Sequence, residues 1–257
     1  MQIIIISIIA LIASCLTLFS GFGLGTILTP AFVIFFPVET AIALTAVVHF
    51  LNNILKLLLL WKYARWDVAL RFGFAAFFAA FLGAKVLFLL EKLPPLYTYH
   101  FFRKEATITS VKLIIAILMI LFVILELVPI FQKISFPPKF LPLGGIFSGF
   151  FGGLSGHQGA LRSMFLLKCG LTKENFIATG VVIACLIDFS RIAVYRGYLL
   201  KTQYQDYWPL MVSATLSAFI GVFIGNRLIK KVTMKTIQIF VSFMLCVIAL
   251  LLGAGVI

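Results

Sequence analysis

Six stretches of the chain are predominantly apolar over about 20 residues, the length that a helix needs to cross the hydrocarbon core of a bilayer. They comprise residues 41–61, 69–90, 107–128, 176–195, 208–229 and 237–257. Soluble domains have roughly half their residues apolar and about a quarter charged, whereas this chain is 63% hydrophobic and 11% charged. We therefore predict an all-α polytopic membrane protein.

Four shorter apolar stretches come in two pairs, and each pair is interrupted by glycines. Residues 3–19 and 26–36 flank the sequence GFGLG at 21–25, and residues 140–151 and 160–167 flank GGLSGHQG at 152–159. Non-helical backbone at membrane depth is tolerated only where it is buried in protein or lines a wet cavity. We expect both breaks to lie in the protein interior.

The order of these elements occurs twice: a broken pair is followed by three full spans. An offset of 134 to 135 residues also places Gly25 on Gly159, Glu39 on Glu174, Asn53 on Asp188 and Lys56 on Arg191. This pattern predicts an internal duplication, as in many transporters. The first membrane repeat covers residues 1–129 and the second 139–257, and together they form a single transport domain.

The loop cations distinguish two topologies. If each broken pair crosses once, the repeats are parallel and the cations divide seven against nine. If each pair is a hairpin, the second repeat is inverted and they divide eleven against five. The first side then carries Lys62, Arg65, Arg71, Lys133, Lys139, Lys168, Lys173, Arg227, Lys230, Lys231 and Lys235, and the second carries Lys92, Arg103, Lys104, Arg196 and Lys201. Cytoplasmic loops are rich in Lys and Arg, so we predict two inverted repeats with both termini outside and the basic loop 226–235 in the cytoplasm.

The net charge of +13 does not indicate nucleic-acid binding, because the cations lie between apolar runs rather than on a soluble basic face. The three histidines lack HxxxH spacing, the four cysteines are isolated, and no GxSxG or paired carboxylates occur. We expect no catalytic residues, no metal and no cofactor, so the chain is not predicted to be an enzyme.

A helix that begins after a glycine break presents free N–H groups and the positive end of its dipole. Two such starts, at Thr26 and Ala160, would form an anion site if they met near the bilayer middle. The alternative interpretation is that Gly21xxxGly25 and Gly149xxxGly153 are close helix-packing faces, as we expect for Gly221xxxGly225.

Polar side chains near the breaks extend this candidate site. Arginine deep in a membrane segment normally faces a cavity or a partner, and the planar fork of Arg162 suits oxyanions. Asp188 and Arg191 are spaced to pair on one helix face, either as a self-neutralising pair or as part of a polar lining in which Asp188 or His49 can be protonated. The predicted binding residues are Gly23, Gly25, Thr26, His49, Asn53, Gly156, His157, Gln158, Gly159, Arg162, Asp188 and Arg191.

Four other charged residues lie near the ends of predicted spans: Lys56, Lys85, Lys112 and Glu126. Long charged side chains in such places usually extend to the membrane surface. We expect these four to do so and assign them no binding role.

Residues 21–30, GFGLGTILTP, and 152–163, GGLSGHQGALRS, resemble the two glycine signatures of the TauE/SafE family of membrane anion exporters. The resemblance extends over nearly the whole chain and includes the two-repeat organisation. It implies export of sulfite or organosulfonates.

We therefore predict a secondary transporter that exports a small anion, sulfite or an organosulfonate, across the cell (inner) membrane. The residues alone predict that the substrate is an anion and where it binds. The resemblance implies that the direction is export and that the anion contains sulfur. An inside-negative potential favours anion exit by about 2.3 kcal/mol per charge per 100 mV. A channel-like anion pore and a non-transporting membrane assembly subunit are the alternatives. The expected partners are the small anion and the lipid bilayer but no nucleic acid; a coupling proton or cation and a homodimer are left open.

Overall fold

The computed structural model describes residues 1–20, 23–101, 104–199, 207–228 and 234–257. Some residues of the predictions above, namely Gly21, Phe22, Arg103, Lys201, Lys230 and Lys231, lie outside the described residues.

Helices form nearly all of the described chain, in the predicted order. The predicted first repeat contains α1 (Gln2–Ser20), α2 (Leu24–Val33), α3 (Val38–Leu60), α4 (Trp66–Glu91) and α5 (Ser110–Leu127). A short helix α6 (Pro129–Gln132) precedes the second repeat, which contains α7 (Leu141–Ser155), α8 (Gly159–Leu166), α9 (Lys173–Leu199), α10 (Trp208–Leu228) and α11 (Met234–Gly253). Within the described residues, five helices (α3, α4, α5, α9 and α10) are long and apolar enough to cross a membrane. The prediction of an all-α polytopic membrane protein is confirmed.

A β-hairpin between α4 and α5 was not predicted. Its strands, β1 (Tyr97–Phe101) and β2 (Lys104–Ile108), pair antiparallel, and they contain the aromatic and β-branched residues that strands favour. The predicted span 107–128 therefore begins too early, because Thr107 belongs to β2. Helix α5 begins only at Ser110, after Thr109, whose side chain accepts a hydrogen bond from the N–H of Lys112 at 3.2 Å. The Thr107 N–H donates to the Gly255 carbonyl at 3.2 Å and joins the hairpin to the chain beyond α11.

The second break is shorter than predicted. Helix α7 continues through Gly152 and Gly153 to Ser155, and only residues 156–158 are non-helical. Gly156 ends the helix in the left-handed region, with φ of 82°, which is a common C-terminal conformation for glycine. The glycines of a small-residue run can thus be helical when a neighbouring helix needs close approach.

That neighbour is α4. A Cβ added to Gly145, Gly149 or Gly153 of α7 would overlap the carbonyl oxygens of Phe72, Ala76 or Ala80, respectively. Likewise, a Cβ on Gly221 or Gly225 of α10 would overlap backbone oxygens of α1. The packing interpretation is therefore correct for Gly149xxxGly153 and for Gly221xxxGly225, as small residues at membrane helix interfaces suggest.

The contacts also define the directions of these helices. Successive residues of α4 meet successive glycines of α7, so the two helices run in the same direction. Helices α1 and α10 do so too, because Ser7 hydrogen-bonds to Ser213 at 2.8 Å and Cys15 lies against Gly225. The second long helix of each predicted repeat, α4 or α10, therefore packs against the first helix of the other, α7 or α1.

The first long helices of the two repeats, α3 and α9, run in opposite directions. His49 in the middle of α3 contacts Asp188 of α9, whereas Arg65, just beyond α3, donates its N–H to Thr179 near the start of α9 at 3.0 Å. One buried apolar cluster is formed mainly by α1, α2, α3, α5, α10 and α11, and a smaller one by α4, α8 and α9. The polar residues of the candidate site lie where α3 meets α9.

Candidate functional site

The two helix breaks lie against each other. A Cβ on Gly25 of α2 would be 3.2 Å from the carbonyl oxygen of Gly156, and a Cβ on Gly156 would be 3.3 Å from Thr29 Oγ1. Glycine is needed at 156 also because of its positive φ. The two breaks are thus in contact, and an anion site at the helix starts Thr26 and Ala160 stays a prediction.

A cavity of about 50 Å³ lies beside this junction. Roughly 10–15 Å³ suffices for one water molecule, so the cavity has room for a small anion. One wall comes from α1, the start of α2, and α3: Thr17, Gly23, Leu24, His49, Asn53 and Lys56. The opposite wall comes from α8 and α9: Arg162, Phe176, Ile177, Gly180, Val181 and Ala184. The cavity therefore lies between residues of the predicted first repeat and residues of the predicted second repeat.

Two cationic side chains line the cavity, and no carboxylate is among its lining residues in the described part of the chain. Arg162 makes a long hydrogen bond of 3.5 Å from Nη1 to Gln158 Oε1, and its guanidinium lies beside Gly180. Lys56, on the facing wall, is 5% exposed. In the described part of the chain, neither cation has a carboxylate within ion-pair distance.

The position of Lys56 corrects the sequence prediction. It was expected to extend to the membrane surface because it lies four residues before the end of α3. Instead its side chain is buried and lines the cavity. A spacing of three from Asn53 puts both residues on one face of α3, and that helix face is the signal that would have found it.

The Asp188 carboxylate, which is fully buried, lies behind the cavity. It accepts hydrogen bonds from Arg191 Nε at 3.0 Å and from His49 Nδ1 at 2.6 Å, and Arg191 Nη2 lies 2.8 Å away. Asn53 and Gln158 each donate to it at 3.4 Å. The predicted pairing of Asp188 with Arg191 is confirmed, and the pair joins α9 to α3 and to the second break.

Arg191 also caps the end of α7. The last four carbonyls of a helix have no partner within it. The Gly152 carbonyl accepts from the Gly156 N–H at 3.0 Å and also from Arg191 Nη1 at 3.4 Å, and the Gly153 carbonyl accepts from the Tyr195 hydroxyl. Sequence reasoning missed Tyr195, although it lies one turn after Arg191 on the same helix face.

His157 lies away from the described cavity. Its ring stacks on Phe122 of α5 with centroids 5.5 Å apart, and Nδ1 is 3.1 Å from the Ser155 carbonyl oxygen. Its proposed contact with substrate stays a prediction.

Four of the twelve predicted binding residues line the cavity: Gly23, His49, Asn53 and Arg162. The others are buried around it or beside the breaks: Gly25, Thr26, Gly156, His157, Gln158, Gly159, Asp188 and Arg191. Of the two residues predicted to be protonatable, His49 faces the cavity and Asp188 does not. Uptake of a coupling proton stays a prediction.

The model of the family described as "Sulfite exporter TauE/SafE" matches residues 6–252. The chain belongs to the TauE/SafE family. No curated protein and no solved structure matches it significantly. The family assignment confirms the resemblance of the glycine signatures, and it makes this TauE/SafE protein a member of a family of multi-pass membrane transporters.

The Asp188–Arg191 pair provides a test of the site geometry. Asp188→Asn should lower the free energy of unfolding by about 3–5 kcal/mol, because Arg191 stays buried without its counter-charge. Adding Arg191→Met removes that charge, so the double variant should be more stable than Asp188→Asn alone. Thermal unfolding of the purified protein in detergent measures both effects.

The control is Asp67→Asn, which breaks the exposed ion pair with Arg65 and should cost at most about 1 kcal/mol. Equal, small losses from Asp188→Asn and Asp67→Asn would contradict the buried pair.

Proposed function

We propose that the protein is a secondary transporter that exports a small anion, sulfite or an organosulfonate, across the cytoplasmic (inner) membrane. The observation that carries the proposal is the charge of the cavity, which is lined by Lys56 and Arg162 and by no carboxylate among the described residues. Two buried cations beside one cavity repel each other, and the repulsion is stronger there than in bulk water. A bound anion would relieve it, whereas a cation or a neutral solute would not.

Oxyanions of sulfur fit the donors around this cavity. The planar guanidinium of Arg162 can donate hydrogen bonds to two oxygens of one ligand. Such charge-assisted hydrogen bonds are stronger than those between neutral groups. Asn53 and Thr17 add polar groups to the wall. Sulfite and the sulfonate head share this chemistry, so a panel of both distinguishes them.

We propose that the two repeats, 1–129 and 139–257, are inverted with respect to each other. Helices α3 and α9 occupy equivalent places in the repeats and run in opposite directions, which supports inversion over a parallel duplication. The reciprocal packing of α4 on α7 and of α10 on α1 supports a two-fold relation between the repeats. With inversion, both termini lie on the outer face.

We propose that transport alternates access to the cavity by movement of its two walls. The walls come from different helix groups, α1–α3 and α8–α9, and His49–Asp188 is a polar contact between them. The close glycine contacts tie α4 to α7 and α10 to α1, which supports their moving as units. The cavity extends towards the end of α3 and the start of α9, the side that the cation distribution assigns to the cytoplasm. Anions would therefore enter from the cytoplasm.

Arg162 should bind the anion directly. In proteoliposomes at equal protein density, Arg162→Ala should reduce subsaturating sulfite flux at least about tenfold, because a hydrogen bond to a charged group contributes about 1.5–3 kcal/mol. Arg162→Lys keeps the charge but loses the two-point contact, so its half-saturation concentration should rise by a smaller factor. Arg196→Ala, which removes an exposed arginine of α9, is the matched control.

Flux close to that of the unmodified protein from Arg162→Ala would remove this residue from the site. Sulfite flux that does not saturate with concentration would favour the pore, and absence of any anion flux would favour an assembly subunit.

The inverted topology predicts that Arg65 and Arg196 lie on opposite faces of the membrane. In a cysteine-free background, Arg65→Cys should react with an impermeant thiol reagent from the cytoplasmic side and Arg196→Cys from outside. Both residues are exposed, so reactivity reports sidedness. Labelling of both from the same face would restore the parallel arrangement.

A further inference from the structure

We propose that Lys56 is the second anion-binding cation of the cavity, and that its repeat counterpart, Arg191, is a structural residue. The proposal rests on the proposed function and deepens it by assigning the charge preference of the site. Lys56 is 5% exposed, lines the same cavity as Arg162, and has no carboxylate within ion-pair distance among the described residues. A buried, unpaired ammonium inside a membrane is costly unless a partner compensates it, and the facing cavity is where such a partner can bind.

The two repeats use one position in different ways. The offset of 135 that places Lys56 on Arg191 also places Asn53 on Asp188. In the second repeat, the carboxylate neutralises Arg191, which is fully buried and donates to the Gly152 carbonyl. In the first repeat, the residue three positions earlier is a neutral amide, so Lys56 keeps its charge for a ligand.

The placement of the two cations indicates the class of ligand. Lys56 is on α3 and Arg162 is on α8, so they approach the cavity from opposite walls. A small oxyanion with two negative charges can bind both at once. A monovalent sulfonate, with one charge to share, gains less from the second cation. Lys56 should therefore set a preference for dianions over monoanions.

Ligand-induced thermal stabilisation of the purified protein tests this, because a ligand that binds the folded state raises its melting temperature without any need for transport. The probes are sulfite just above its second pKa, where the dianion already prevails over the monoanion, and methanesulfonate as the monoanion. Lys56→Gln should weaken sulfite binding at least about tenfold and methanesulfonate binding by less than about threefold. Lys56→Arg should recover most of the sulfite affinity. The matched control is Lys85→Gln, since Lys85 is an exposed lysine of α4 over the Phe81 ring.

The melting temperature without ligand separates a binding role from a structural one. Lys56→Gln should leave it unchanged or raise it, whereas Arg191→Gln should lower it. A lowered melting temperature for Lys56→Gln, or an equal effect on both anions, or no effect on either, would overturn the proposal. Sulfite binding that depends on Lys56 without saturable flux in proteoliposomes would instead refute the proposed transport and leave the site in place.

Discussion

A helix break at membrane depth exposes carbonyl groups that lipid cannot satisfy, and much of this structure depends on satisfying them inside the protein. At the end of α7, the Tyr195 hydroxyl donates to the Gly153 carbonyl, and Arg191 is a second donor, beside the Gly156 N–H, to the Gly152 carbonyl. Bringing an arginine to that place requires a buried counter-charge, which Asp188 supplies. Asp188 in turn accepts a hydrogen bond from His49. The contacts of Arg191 and Asp188 therefore join the end of α7 to α9 and to α3.

These contacts leave the charged residues between α3, α8 and α9 unevenly paired. The negative charge of Asp188 is used within the protein by Arg191. Lys56 and Arg162 have no such partner in the described chain, and both face the same small cavity. The positive charge at Lys56 thus depends on Asn53 being neutral in α3, where the corresponding residue of α9, Asp188, is a carboxylate.

Much of this fold could be predicted from the sequence. The apolar lengths and the glycine breaks predicted the order of helices, and the three-residue spacing predicted the Asp188–Arg191 pair. The extent of the second break could not be predicted, because whether Gly152 and Gly153 are helical depends on the close approach of α4. The direction of Lys56 was missed for a related reason: a lysine near a helix end can reach the membrane surface or the interior, and tertiary packing decides. The strands before α5 were missed because they lie mostly in the polar segment between two predicted spans, and only Thr107 and Ile108 fall within the apolar run.

The central claim is that a small oxyanion binds between Lys56 and Arg162. Selenite is a close chemical analogue of sulfite, and its selenium atom can be located by anomalous X-ray scattering. A crystal structure of the protein with selenite should show one strong anomalous peak in the cavity, with oxygens within hydrogen-bonding distance of the Arg162 guanidinium and the Lys56 ammonium. A selenium peak elsewhere in the protein, with none in the cavity, would contradict the account if sulfite competes with selenite for that other site.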